Sequence, residues 1–266
     1  MNNYIVRETP AVMRQMARDH LQGNWIMVYC GVAFYYIMAT LMPQFFDLCV
    51  PLGRASQAVA GENVDISVIS QFYSMFFTGV FSVGLASFMI SFVRLREIHP
   101  TYVFNGFEYY MRCLALSLVK TGLIFLWTLL LIIPGIIASI RYSQAEYILA
   151  DDPSKGVMQC IAESKWMMDG NKASYFVFGL SYIGWIALSA IPLFLVSFLS
   201  EQSDMQNAME FILTAAASLP LYLSLTYLQT GVTVFYELVS GHLRARQPEN
   251  DPWQDGNQWP GSGQNM

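Results

Sequence analysis

Charge is scarce in this chain. Asp, Glu, Lys and Arg together make up 12% of the 266 residues, against about one quarter in ordinary soluble domains. A basic stripe is missing too: the 14 Lys and Arg are outnumbered by 19 Asp and Glu, which argues against a nucleic-acid partner, because phosphate neutralisation needs clustered cations. Histidine occurs three times (His20, His99, His242) and cysteine four times (Cys30, Cys49, Cys113, Cys160), with no CxxC and no histidine beside any cysteine. That spacing offers neither a disulfide framework nor a metal site, so no metal and no cofactor is expected. The cysteines read as small apolar filler.

Catalytic signatures are equally thin. There is no HExxH, no P-loop and no GxSxG. Intramembrane proteolysis would need a serine with a histidine, or two aspartates, at membrane depth; the histidines lie at the ends of the apolar runs and no Asp falls inside one. The serine in FGLSYIG (178–184) has no base nearby and reads as small-residue helix packing. Lys155 and Lys165 with Gly156 and Gly170 read as a solvated face rather than a phosphate site. No catalytic residues are assigned, and the chain is not expected to be an enzyme.

What the chain has in abundance is apolar length: 55% of it is hydrophobic and 15% aromatic. Runs of roughly 17–25 apolar residues are long enough to span a bilayer as helices. They occur at 25–42, 72–93, 113–133 (with Lys120), 175–199 and 211–236. The first begins near Trp25, too late for a signal peptide, and reads as an uncleaved span. A sixth segment, 136–150, is short and carries Arg141 and Glu146. Basic residues accumulate in the cytoplasmic loops of membrane proteins. With five spans and the N-terminus inside, six Lys/Arg fall inside and seven outside, which is no bias. With 136–150 returning through the bilayer, eleven fall inside, Arg54 alone falls outside, and Lys120 and Arg141 lie within spans.

The expected fold is therefore an all-α membrane protein, a polytopic bundle of six transmembrane helices in a single domain over 1–246. Both termini are cytoplasmic, and 247–266 is a disordered cytoplasmic tail rich in Pro, Gly, Asn and Gln. Pro134 and Gly135 are expected at the hairpin tip, where glycine permits positive φ and proline has no amide to satisfy. Thr9-Pro10 and Asp152-Pro153 each open an amphipathic helix, the second ending at Asp169-Gly170. Both helices fit either the inner interface or simple packing beside the membrane.

Charges inside a bilayer need partners, water or a route to the interface. A tip between Pro134 and Gly135 places Arg141 level with Thr128 and Glu146 level with Leu123. Glu146 is then within reach of Lys120, with Arg141 facing polar groups such as Thr128, Tyr142 or Tyr182, or carbonyls freed near Pro192 and Pro220. The alternative is that all three snorkel separately.

Several stretches carry a resemblance: LQGNW (21–25), LWTLLLIIPGI (126–136), YSQAEYILADDP (142–153), ESKWMMDGNK (163–172), FGLSYIGWIAL (178–188) and FYEL (235–238). Together they resemble the bacterial integral-membrane domain-of-unknown-function family nine-seven-five, found largely in Firmicutes, over nearly the whole chain except the 44–70 loop and the tail. The family is similar, more distantly, to the membrane domains of some glycerophosphodiester phosphodiesterases. The resemblance implies a multi-pass protein of the bacterial cell membrane and brings no catalytic residues with it. Two functions remain open: a non-enzymatic scaffold, assembly or lipid- and partner-handling protein of the envelope, or a transporter or flippase-like protein for an anionic or amphiphilic substrate, with Arg141 in the bundle interior. The bilayer, and possible other membrane proteins, are the partners; oligomeric state is open.

Overall fold

The structure, a computed structural model, describes residues 5–49, 54–59, 62–96, 99–202 and 207–243. Eleven α-helices are found among them. α1 (Pro10–Leu21) leads through Gly23, whose φ of +83° reverses the chain, into α2 (Trp25–Tyr36). A π-helical stretch, Ile37–Leu41, joins α2 to α3 (Met42–Cys49). An antiparallel hairpin of β1 (Arg54–Val59) and β2 (Glu62–Ser67) follows, in register from Arg54↔Ser67 to Val59↔Glu62. Then come α4 (Val68–Leu95), a 3-10 segment at Pro100–Phe107, α5 (Tyr110–Leu130), α6 (Ile132–Arg141), α7 (Ala145–Asp151), α8 (Val157–Met167), α9 (Lys172–Leu180), α10 (Ile183–Gln202) and α11 (Asn207–Ser240).

Five helical stretches are long and apolar enough to cross a membrane: Trp25–Asp47, Ile69–Leu95, Tyr110–Leu130, Ile183–Ser200 and Met209–Ser240. The protein is thus a multi-pass helical membrane protein by length and composition. Its burial pattern follows the same logic. The C-terminal half of α4, from Val80 to Val93, is almost wholly buried against α7, the 3-10 segment and the C-terminal half of α11. In contrast, α10 exposes Trp185, Leu188, Phe194, Leu195 and Phe198. Its 20 residues make a rod of about 30 Å, the thickness of the hydrocarbon core.

The sixth expected span takes a different form. Residues 136–150 are not one helix: α6 ends at Arg141, Tyr142–Gln144 form a turn, and α7 begins at Ala145. The turn is held from outside the segment, since Ser164 Oγ donates to the Arg141 carbonyl at 2.8 Å and accepts from the Gln144 amide at 3.2 Å. The 175–199 span is likewise divided, with α9 and α10 meeting at Ser181-Tyr182.

The expected tip at Pro134 and Gly135 is also corrected. The reversal occurs at Leu131, which is extended (φ −162°, ψ 149°) between α5 and α6. Pro134 sits in the first turn of α6, where its missing N–H costs no helical hydrogen bond. Gly135 serves close approach rather than positive φ: a Cβ there would lie 2.2 Å from Thr128 Oγ1 and 2.9 Å from Thr128 Cα. Gly135 is therefore the residue opposite Thr128, and Arg141 lies further from the tip than expected.

The two amphipathic helices pack on the bundle. α1 buries Met13, Ala17 and Leu21 and lies along α11. α8 starts after Gly156, later than expected, because the Asp152 carboxylate instead accepts from the Ser154 amide in a turn. It buries Cys160, Ile161, Ser164 and Met167 against α7 and α5. The tail from 247 onwards lies outside the described residues.

Candidate functional site

Two charged clusters lie among the apolar helices. The first joins α5 to α7, on the two sides of the reversal at Leu131, where Lys120 Nζ on α5 is 3.0 Å from Glu146 Oε1 on α7. Both side chains are mostly covered, 19% and 23% exposed. The ion pair expected from the hairpin is thus formed, with Glu146 beside Lys120.

Arg141 does not join that pair. Its carbonyl is held by Ser164, and its Nε is buried with no hydrogen-bond partner among the described residues. None of its expected partners engages it. Thr128 donates to the Ile124 carbonyl, and Tyr182 packs against Tyr227 with ring centroids 4.8 Å apart. Its charge reaches Asp169 only weakly: that carboxyl is held below the usual aspartate range chiefly by hydrogen bonding and charge from Lys172, with smaller contributions from Arg141 and Lys165.

The second cluster was not singled out from the sequence. Arg94, at the end of α4, meets Asp151, the last residue of α7, and Glu237, near the end of α11. Nε lies 2.9 Å from both Glu237 carboxylate oxygens. Nη1 donates to Asp151 Oδ1 at 2.5 Å and Nη2 to Asp151 Oδ2 at 2.9 Å. The Glu237 side chain is fully buried. Tyr236 donates its hydroxyl to Asp151 Oδ2 at 3.0 Å. Gly241, at φ +82°, ends α11 in the left-handed turn that suits glycine. His242 then folds back, its Nδ1 3.2 Å from Arg94 Nη2 and 2.8 Å from Ser240 Oγ.

Burial alone pushes the Asp151 carboxyl up, but hydrogen bonding and charge from Arg94, with smaller help from Tyr236 and His242, more than offset it. Asp151 is left below the ordinary aspartate range.

Above this clasp the polar contacts continue. Tyr147 on α7 accepts hydrogen bonds from Gln229 at 2.7 Å and Thr233 at 3.2 Å, both on α11, and its ring stacks on Tyr236. A cavity of about 340 Å³ opens beside Arg94, lined among others by Ser87, Ser91, Asn105, Tyr109 and Asp151. Of the five guanidinium N–H groups, four are taken by Glu237, Asp151 and His242. The charge is matched by two carboxylates, an arrangement that fixes three helix ends and leaves little for a substrate.

No group of three or more metal-ligating side chains occurs among the described residues. Cys113 and Cys160 are buried and Cys30 and Cys49 exposed, all four free. A signal for the clasp did exist in the sequence. ILADDP contains Asp151 and FYEL contains Glu237, and both are acids at the ends of apolar runs, as Arg94 is a base at the end of another.

No curated protein matches this chain, and no solved structure does. Lys120, Arg141, Glu146, Asp151 and Glu237 lie within a stretch, 118–242, that is similar to a described family, whereas Arg94 and the LQGNW stretch at 21–25 lie outside it. Residues 118–242, just under half of the chain, are similar to the family described as Protein of unknown function (DUF975).

Proposed function

We propose that this is a multi-pass protein of the bacterial cytoplasmic membrane, of Firmicutes type, with both termini cytoplasmic, which works without catalysis. Its role is to scaffold, assemble or hold other components of the cell envelope, with lipid and membrane proteins as partners. The observation that carries this reading is the use of the scarce charges. Lys120 is bound to Glu146, and Arg94 to Asp151 and Glu237. These groups tie the chain's own helices together, which suits a rigid platform. The test is cross-linking in native membranes followed by purification of the full-length chain. A defined partner recovered at fixed stoichiometry is the expected result, and a chain recovered alone at every cross-linker dose contradicts it.

One observation favours a second reading, a transporter or flippase-like protein for an anionic or amphiphilic substrate. Arg141 has a buried Nε without a hydrogen bond, and it stands where α6 breaks into α7. Broken helices and buried charges line substrate routes in transporters. Arg141→Gln separates the two readings. The scaffold keeps its partner and shows no change in flux, whereas the transporter loses flux while remaining folded.

A further inference from the structure

We propose that the α5–α6 hairpin is a half-membrane element: its tip at Leu131 lies near the bilayer midplane, covered by lipid chains, and both legs enter and leave through the same face. Three observations converge on this depth.

The first is the tip itself. Leu129, Leu130, Leu131, Ile132 and Ile133 are 73, 68, 64, 73 and 71% exposed. A hairpin emerging into water on the far side would present five consecutive bare Leu and Ile side chains there. The reversal also leaves little loose backbone. Leu131 is the single non-helical residue of the reversal, and both its polar groups are used: its N–H donates to the Trp127 carbonyl at 3.1 Å and its carbonyl accepts from the Gly135 amide at 3.2 Å. Pro134 removes one more of the amides that a helix start leaves unpaired. Unpaired backbone groups are costly in hydrocarbon, and a reversal of one non-helical residue exposes no more of them than the two helix ends themselves leave open.

The second is the position of the charges. Lys120 precedes Leu130 by ten residues, and Arg141 follows Leu131 by ten. At 1.5 Å per residue each charge-free leg is about 15 Å long, half of a hydrocarbon core of about 30 Å. Length and composition alone admit α5 as a full span, but that placement leaves Lys120 in mid-membrane.

The third is what packs at the base. The hydrogen bonds of Ser164 to Arg141 and Gln144 fix α8 at that level. The next residue, Lys165, is exposed. The nearby Asp169–Lys172 pair is also open, its side chains 76% and 35% exposed. If the hairpin crossed completely, these exposed charges would face lipid near the midplane, where charge is strongly disfavoured. With the tip at the midplane they fall at the interface.

The experiment uses the full chain in liposomes, with single cysteines Leu131→Cys or Lys165→Cys in a cysteine-free background. A second background replaces only the exposed Cys30 and Cys49 and keeps the buried Cys113 and Cys160, should their loss impair folding. A nitroxide on position 131 is expected to be accessible to oxygen but not to a water-soluble nickel reagent. A membrane-impermeant maleimide is expected to reach position 165 from one face and position 131 from neither. Labelling of 131 from the face opposite 165 overturns the proposal in favour of a full crossing. Labelling from the same face means that the hairpin stands in water. Exclusion of both oxygen and nickel means that protein, a second copy included, covers the tip. Each of these failures leaves the partner and flux tests of Arg141→Gln unaffected.

Discussion

Arg94 on α4 holds both carboxylate oxygens of Glu237 on α11 through its Nε, at 2.9 Å each. The Glu237 side chain has no exposed surface. A buried carboxylate of this kind is tolerable only while its partner is present. Arg94→Met is therefore expected to destabilise the protein by about 3–5 kcal/mol. The check is thermal or denaturant unfolding in detergent, where a loss below about 1 kcal/mol would contradict the clasp. Arg94→Lys should recover only part of the loss, because a point charge cannot reproduce the fork that grips two carboxylates at once.

Acid should loosen the same clasp through Asp151. Its folded-state pKa lies below the ordinary range, about 3.9 for the unfolded chain. A depressed carboxylate contributes stability that is complete above the unfolded value and is lost as pH falls through the folded one. The stability difference between wild type and Asp151→Asn should thus be constant above about pH 5 and shrink below about pH 4. Melting curves across that window check it; a difference that grows on acidification reverses the sign and refutes the assignment.

Gly135→Ala should damage the hairpin. The added Cβ meets not only Thr128 Oγ1 but also Thr128 Cα at 2.9 Å, and backbone cannot rotate aside. A loss of about 1–3 kcal/mol is expected, with only partial rescue by Thr128→Ala because the clash with the backbone persists. Full rescue would show that the hydroxyl alone sets the spacing.

The side of the membrane on which the turn between α7 and α8 lies can be tested chemically. Ser154→Cys is expected to react with an impermeant maleimide from the cytoplasmic side in inverted vesicles and not from outside intact cells. Labelling from outside would overturn the proposed orientation.

Much of this architecture was legible because hydropathy at helical length speaks directly to a bilayer. The apolar runs that form the core of α2–α3, α4, α5, α10 and α11 announce themselves, and a lysine and a glutamate in facing legs of a hairpin have few other ways to be satisfied. The tip was legible only approximately. Pro134-Gly135 looks like a turn, yet proline is equally at home in the first turn of a helix, and Gly135 is demanded by Thr128 across the gap. The break at Tyr142–Gln144 has no local signal, since neither glycine nor proline lies in RYSQ; it depends on Ser164, twenty residues beyond Gln144. The clasp was hidden for a related reason. Arg94, Asp151 and Glu237 each look like a solvated charge at the end of a span, and only their convergence makes them a unit.

The central claim is that the scarce charges hold the chain's own helices together, and the pair of Lys120 and Glu146, 3.0 Å apart, offers its most direct test. A double-mutant cycle with Lys120→Met and Glu146→Gln, read as unfolding free energy in lipid nanodiscs, isolates their interaction. Each single change should be destabilising and the double change milder than the sum, with a coupling of about 0.5–3 kcal/mol. Strictly additive losses would contradict the claim, placing both charges in separate routes to the interface rather than in each other's reach.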